Sequence, residues 1–113
     1  MSECLFCKII KGEIPSDIVY QNDEVVAFKD IHPRAPIHIL IVPKHHIGSV
    51  ATLTEKDAKE LPHLFLAAKV IADKLGVKDS GFRTVFNIGP DSGMIVDHLH
   101  LHLLAGKRLA GMG

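Results

Sequence analysis

The stretch that most constrains the fold lies near the end of the chain, where histidines and leucines alternate in the order His98-Leu99-His100-Leu101-His102-Leu103-Leu104. Successive side chains of an extended strand point to opposite faces, so this alternation places all three imidazoles on one face and the leucines on the other. On a helix the same spacing would scatter the histidines around the axis. Residues 98–104 are therefore predicted to form a strand whose leucines face a hydrophobic core.

Short β-prone and helical segments account for much of the remaining chain. Residues 5–10 predict a helical turn, and residues 18–20 and 25–28 predict a hairpin. The loop 30–36 is punctuated by prolines and precedes the β-branched run 37–42, which predicts a central strand covered on both faces.

One long helix is predicted in the middle of the chain. Thr54 with Asp57 three residues later resembles a helix N-cap. Pro62 interrupts the helical pattern and predicts a kink or a restart, and Gly76 predicts the end of the helix. Residues 82–88 predict a further strand and residues 89–93 a tight loop. The apolar residues at helical spacing are Leu61, Leu64, Phe65, Ala68, Ala72 and Leu75.

This order of elements, with hairpin-like connections and no repeated β-α-β units, is typical of an α+β fold. We expect a mainly antiparallel, roughly five-stranded sheet with one long helix and short helices. At 113 residues and 47% hydrophobic content the chain can bury one core, and no repeat or linker divides it. Residues 1–113 are therefore predicted to form a single domain.

The charges argue against two classes of partner. Thirteen basic and thirteen acidic residues balance, so no basic field favours nucleic acid or an anionic membrane, while a small charged ligand stays compatible. The N-terminal Met-Ser-Glu-Cys lacks a basic segment followed by an apolar one, so a cytoplasmic location is expected. Cysteines in Cys4-x-x-Cys7 would stay reduced there, which favours a metal pair or two ordinary thiols over a disulfide.

The clustered imidazoles permit more than one chemistry. Converging neutral histidines can bind a metal, or they can divide the roles of nucleophile and proton donor. They can also form the solvated face of an amphipathic strand. Spacing alone does not decide among these alternatives.

Residues 98–104 match the signature histidine-φ-histidine-φ-histidine-φ-φ, in which φ is apolar, and the match continues through nearly the whole chain. The sequence therefore resembles the histidine triad (HIT) family, in the branch of the histidine triad nucleotide-binding proteins, which are purine nucleoside phosphoramidases. The further segments that carry the resemblance are Phe6-Cys7-Lys8-Ile9-Ile10, Glu13-Ile14-Pro15, Phe28-Lys29-Asp30-Ile31, Ala35-Pro36-Ile37-His38 and Ile41-Val42-Pro43-Lys44.

The resemblance implies a catalytic set of four histidines. The middle histidine of the triad is the family's nucleophile, so His100 is expected to form a covalent nucleotidyl intermediate that water hydrolyses, with no cofactor required. His102 is expected to donate hydrogen bonds to the phosphate or to help protonate the leaving group. His38 is expected to orient the site, and His98 completes the triad.

The resemblance also implies the nucleotide contacts. Asn87 and the backbone amide of Gly93 correspond to phosphate-contacting positions, and Asp30 corresponds to the acid that binds the ribose hydroxyls. The base pocket corresponds to apolar residues for which ordinary core packing is the competing interpretation. These residues are Phe6, Ile9, Ile14, Phe28 and Ile31.

A structural zinc ion and a homodimer are two further implications. Cys4, Cys7, His46 and His98 match the ligands that hold zinc in several bacterial members of the family, and two thiolates with two imidazoles suit tetrahedral zinc. His45 is an alternative to His46, and two ordinary free cysteines are the competing interpretation. The resembling branch pairs through its long helix and central strands, so a homodimer is expected.

The sequence departs from the family just before the triad. Met94 and Ile95 stand where the closest eukaryotic relatives usually have a glutamine and a serine, whose hydroxyl assists the leaving group. Ile95 cannot donate a hydrogen bond, so this assistance is expected to come from His102 or water. Asp97 replaces a residue that is commonly aromatic or apolar there, and nothing in the sequence explains it.

The reaction expected from these features is hydrolysis of a purine nucleoside 5′-phosphoramidate, such as an adenylated amine, to the nucleoside monophosphate and the amine. Dinucleoside polyphosphate hydrolysis is the closest enzymatic alternative. A nucleotide-binding module with little catalysis, for which Ile95 is the main argument, and a small zinc protein without a substrate are alternatives of other classes.

Overall fold

A computed structural model describes residues 4–111 and contains one antiparallel sheet with the strand order β1-β2-β3-β5-β4. The predicted α+β fold, with a five-stranded antiparallel sheet and one long helix, is confirmed. The strands are β1 (Ile18–Gln21), β2 (Val25–Lys29), β3 (Ile37–Pro43), β4 (Phe82–Val85) and β5 (Leu101–Ala105). The helices are α1 (Leu5–Ile10), α2 (Glu55–Ala58) and α3 (Leu61–Lys74), with 3-10 turns at Val50–Thr52 and Pro90–Ser92.

The central strand β3 and its neighbour β2 are covered on both faces, as the apolar run in β3 predicts. One face of the sheet packs against α3, where Leu64, Ile71 and Leu103 are at most 1% exposed. Burying each such side chain contributes roughly 1.5–3 kcal/mol. The opposite face packs against α1 through a separate apolar cluster that includes Phe6 and Phe28. Leu99, Leu101 and Leu103 of the histidine strand pack in the same cluster as α3, which leaves the other face for the imidazoles.

The long helix restarts at its proline. Thr54 caps the short α2 and accepts a hydrogen bond from the Asp57 backbone N–H at 3.0 Å. A second helix, α3, then begins with Pro62 in its first turn, where a missing N–H costs no helical hydrogen bond. At its end, Gly76 adopts φ +75° and Val77 N–H donates to Ala72 O, which is a Schellman arrangement.

Two predicted strands are shorter than the sequence indicates. β4 ends at Val85 instead of residue 88, and residues 86–88 connect it to the turn Pro90–Ser92 without regular structure. β5 begins at Leu101 instead of His98. Its last pair with β3 is Ile41↔Leu101, and Pro43 further along β3 has no N–H with which to extend the ladder. Leu99 N–H instead donates to Ile47 O at 2.6 Å.

No helix within residues 4–111 is long and apolar enough to cross a membrane. The N-terminal residues on which the prediction of a cytoplasmic location depends lie mostly outside the described part of the chain.

Candidate active site

The tautomer of His100 follows from a single backbone contact. Its Nδ1 lies 2.7 Å from the carbonyl oxygen of His98, which can only accept a hydrogen bond. Nδ1 therefore carries the proton in a neutral ring, and the lone pair resides on Nε2. The residue is 9% exposed, and its ring stands edge-on to Phe6 with ring centroids 5.0 Å apart. A buried, fixed imidazole with one available lone pair is suited to nucleophilic attack.

A chain of hydrogen bonds fixes the other two imidazoles of the site. The backbone N–H of Arg34 donates to His38 Nδ1 at 3.1 Å, so a neutral His38 carries its proton on Nε2. That proton is donated to His102 Nδ1 at 3.0 Å. The proton of a neutral His102 consequently lies on Nε2. The loop before β3 thus determines which atom of His102, on β5, is a donor.

The Nε2 atom of His102 faces the amide of Asn87. Asn87 Nδ2 lies 3.4 Å from His102 Nε2. With Nδ2 facing the ring, both atoms are donors and neither satisfies the other. An anionic oxygen placed between them would accept a hydrogen bond from each. This geometry is suited to a phosphoryl oxygen that gains charge during substitution at phosphorus.

The surroundings keep the imidazoles of His38 and His102 neutral. Burial is the main cause that lowers the pKa of His102 to about 4, and the nearby His100 and His38 contribute to the same shift. Burial also lowers the pKa of His38, an effect that the Asp30 carboxylate opposes and the Arg34 guanidinium reinforces. Neutral rings near pH 7 are the state that this hydrogen-bond chain requires.

A cleft of about 350 Å³ opens in front of these histidines. The structure brings into its lining three of the four predicted catalytic residues and all eight predicted nucleotide contacts. His98 is the exception: it is fully buried, and its ring packs against that of Phe6 at a centroid distance of 5.9 Å. The lining residues predicted from the sequence are His38, His100, His102, Asp30, Ile31, Asn87, Gly93, Phe6, Ile9, Ile14 and Phe28.

Two of the predicted nucleotide-binding residues already make hydrogen bonds within the protein. Asp30 Oδ1 accepts from the His32 backbone N–H at 2.7 Å, and Oδ2 lies 3.4 Å from His38 Nε2. The N–H of Gly93, at φ +91°, donates to Pro90 O at 3.0 Å. A phosphate contact by this amide requires that it share or exchange the turn hydrogen bond, and the assignment of Gly93 stays a prediction.

The cleft also contains Met94 and Ile95, which depart from the family pattern, and Arg34, which the sequence did not identify as a site residue. Ile95 is 91% exposed at the rim, beside Met94. Arg34 was not selected, although its backbone fixes His38 and its side chain lines the cleft. The available signal was its position in the loop between two selected residues, Asp30 and His38.

A separate cluster of four ligand-type side chains adjoins Phe6 through His98. The ligand atoms of Cys4, Cys7, His46 and His98 all lie within 4.8 Å of one another. Cys4 Sγ is 3.3 Å from His98 Nδ1, and Cys7 Sγ is 3.2 Å from His46 Nδ1. His45 is not part of this group, because its Nε2 lies 3.3 Å from Asp57 Oδ1.

The fully buried His98 is oriented as a metal ligand requires. Its Nε2–H donates to the carbonyl oxygen of Pro43 at 3.0 Å, which leaves the lone pair on Nδ1, beside the two sulfurs. Burial lowers the pKa of this ring to about 4, so it is neutral. Two sulfurs and two imidazole nitrogens in one group fit tetrahedral zinc.

The three triad imidazoles do not converge on one metal. His98 Nδ1 faces the cysteines, His100 donates from Nδ1 to a backbone carbonyl and lines the cleft, and His102 Nδ1 accepts from His38. The alternative in which the triad itself forms a metal site therefore lacks a common focus for the three lone pairs.

Comparisons with known proteins extend over nearly the whole chain. The family model described as scavenger mRNA decapping enzyme C-term binding matches residues 3–112. The chain is 44% identical over 110 residues to the purine nucleoside phosphoramidase of Escherichia coli strain K12, covering 97% of this chain and 92% of the relative. It is 46% identical over 110 residues to a 14 kDa zinc-binding protein of Zea mays, covering 96% of this chain and 85% of the relative. A solved HIT family hydrolase from Legionella pneumophila Philadelphia 1 superposes with a TM-score of 0.92 at 42% identity, covering 96% of each chain.

Proposed function

Because the chain belongs to the histidine triad family, we propose that it cleaves purine nucleoside 5′-phosphoramidates to the nucleoside monophosphate and an amine through a covalent intermediate on His100. At the coarser level, similarity to a named phosphoramidase and to a HIT family hydrolase makes the chain a hydrolase of this family. The substrate class and the covalent step are the finer parts of the proposal.

The single observation that carries the proposal is the fixed lone pair of His100. Its Nδ1 proton is held by the His98 carbonyl, and His100 lines a cleft that is also lined by His102 and Asn87, which carry the two donors. Substitution at an anionic phosphorus requires a nucleophile for the phosphorus and hydrogen-bond donors for the phosphoryl oxygens.

In the first step, the lone pair of His100 Nε2 attacks phosphorus. The phosphorus–nitrogen bond to the leaving amine breaks, and its electron pair stays on the amine nitrogen, which takes up a proton from solvent. His102 Nε2–H and Asn87 Nδ2–H donate to a phosphoryl oxygen as charge develops there.

In the second step, water attacks the same phosphorus. The bond from phosphorus to His100 Nε2 breaks, its electron pair returns to the ring, and one proton of the water passes to solvent. One water is consumed overall, and the proton taken up in the first step is balanced by the proton released in the second. Attack by the imidazole, followed by attack of water on the activated phosphorus–imidazole bond, replaces one direct attack by water on the phosphoramidate.

The test is release of adenosine monophosphate from an adenosine phosphoramidate by the wild-type protein and by His100→Ala. We expect turnover by the wild type and its loss in the variant, with both proteins showing the same thermal unfolding. Nucleotide binding without wild-type turnover would instead support the binding module, with Ile95 as the first residue to replace.

We also propose that Cys4, Cys7, His46 and His98 hold a structural zinc ion. The proposal is supported by the compact ligand group and by the orientation of His98. The ion would supply cross-links between α1 and the segments that carry the two histidines. Because α1 has only six residues and also carries Phe6, this anchor would stabilise one wall of the cleft.

A homodimer is the third part of the proposal. Phe65, Leu66 and Val70 on the outer face of α3 are 48%, 59% and 44% exposed. Phe65 contacts the ring of Phe86 at a centroid distance of 6.1 Å, so the apolar patch continues from α3 to the chain after the edge strand β4. Two-fold pairing of this patch would remove it from water. We further propose that residues 1–113 form a single domain.

A further inference from the structure

A second cleft, of about 630 Å³, lies beside the nucleotide cleft. The two clefts share four lining residues, namely Arg34, His38, Asn87 and His102. Because these residues include the donors assigned to the phosphoryl group, a phosphorus bound there lies at the junction of the two clefts. A nucleoside in the first cleft therefore leaves the second cleft available to the group on the other side of phosphorus.

The sheet register places a cation in this second cleft. In the antiparallel pairing of β4 with β5, Val85 lies opposite His102 and Arg83 lies opposite Leu104. His38 on β3 lies opposite the same Leu104. Paired residues and residues two apart share a face, so Arg83 lies on the face that carries both imidazoles. Arg83 is half-buried, and Val85 and Leu104 line the cleft beside it.

Two more cations reach this cleft from other segments. Arg34 comes from the loop before β3, and Lys107 comes from the segment after β5. One carboxylate, that of Asp91, is among the lining residues. Within residues 4–111, none of the ion pairs with carboxylates involves Arg34, Arg83 or Lys107. The cleft therefore has an excess of positive charge that the described residues do not neutralise.

The charge of Arg34 acts on the two histidines beside the reacting centre. It contributes to lowering the pKa of both His38 and His102. An anion bound beside Arg34 would offset this effect. Guanidinium groups bind carboxylate and phosphate through paired hydrogen bonds, so either anion suits Arg34 and Arg83.

We propose that this basic cleft is the subsite for the leaving group and that it selects leaving groups that carry a carboxylate or a phosphate. The inference rests on the proposed hydrolase function and specifies its substrate class. An amino acid joined through its nitrogen to the nucleotide phosphorus is one such substrate. A dinucleoside polyphosphate, whose leaving group is itself a phosphate chain, is another.

The test uses adenosine phosphoramidates whose leaving amine is an amino acid, its methyl ester, or the corresponding aminoalkylphosphonate. We expect the wild-type kcat/KM to be about tenfold higher for the two anionic substrates than for the ester, as one charge-assisted contact supplies. Whichever anionic substrate is faster identifies the preferred anion, and a diadenosine polyphosphate extends the comparison to phosphate chains.

Variants then assign the preference to the cleft. Arg83→Gln and the more exposed Lys107→Gln are expected to lower kcat/KM for the anionic substrates several-fold more than for the ester. Arg108→Gln, an exposed neighbour that does not line the cleft, is the matched control and should leave the ratio unchanged. Lys107→Gln keeps the test valid if Arg83→Gln impairs folding.

Two results would overturn the inference in distinguishable ways. Hydrolysis of the ester at least as fast as of both anionic substrates, with no change of the ratio in the variants, would refute the leaving-group subsite and leave the hydrolase function intact. Failure of the folded wild-type protein to release adenosine monophosphate from any of the substrates would overturn the proposed function and this inference with it.

Discussion

Replacing His102 by alanine tests whether the hydrogen-bond chain from His38 to His102 supplies a donor to the phosphoryl group. The change removes the Nε2–H that faces Asn87 and the Nδ1 that accepts from His38. Loss of one donor to a developing phosphoryl charge lowers kcat by about 10²–10³, or about 3–4 kcal/mol in the barrier. KM should change little, because this contact strengthens mainly in the transition state.

The fold should tolerate the same change. His38 Nε2–H loses its 3.0 Å acceptor but keeps the Asp30 carboxylate at 3.4 Å, so the free energy of unfolding should fall by no more than about 1 kcal/mol. Chemical denaturation measures this cost separately from the kinetic effect.

Initial rates of nucleoside monophosphate release give kcat and KM for three variants. His102→Ala should show the full loss, and His102→Asn should recover part of it because its amide supplies a donor. His63→Ala is the control, since that histidine lies on α3 near Glu24, away from the cleft. A loss in kcat smaller than about fivefold, or a loss confined to KM, would refute the donor role of His102.

Three other predictions follow from the metal cluster, the α3 face and the buried imidazoles. Cys4→Ser should abolish zinc binding and raise KM for the nucleotide, because α1 carries Phe6 into the cleft. Stoichiometric zinc in the purified variant, measured by atomic absorption, would refute the assignment of Cys4 as a ligand. Leu66→Asp should convert the dimer to a monomer in analytical ultracentrifugation, and an unchanged mass would argue against the α3 face. In the Cys4→Ser variant, the free energy of unfolding should fall as the pH drops from 6.5 towards 4. The reason is that His38 and His102 bind protons at a higher pH in the unfolded chain than in the folded one. A free energy of unfolding that does not change over this pH range would contradict the prediction.

Local signals in the sequence predict much of the fold. The alternation at residues 98–104 predicts the leucine face of the core, although only part of that stretch is in the ladder. The cap at Thr54 and the restart at Pro62 are predictable because each depends on the chemistry of one or two residues. The end of the β3–β5 ladder depends on Pro43, which a single-strand pattern does not relate to Leu99.

The candidate site is predictable only in part, because its chemistry depends on residues that approach from separate segments. Spacing does not reveal that His98 faces the cysteines while His100 lines the cleft, since both belong to one alternating pattern. The basic cleft is harder still to predict. Arg34, Arg83 and Lys107 come together only through strand order and register, which no local motif encodes.

The measurement that tests the central claim most directly is rapid-quench peptide mapping of the enzyme during turnover of an adenosine phosphoramidate. We predict an acid-labile nucleotidyl group on the peptide that contains His100, formed at least as fast as turnover and absent from His100→Ala. An adduct on another residue, or full turnover by His100→Ala, would contradict the account.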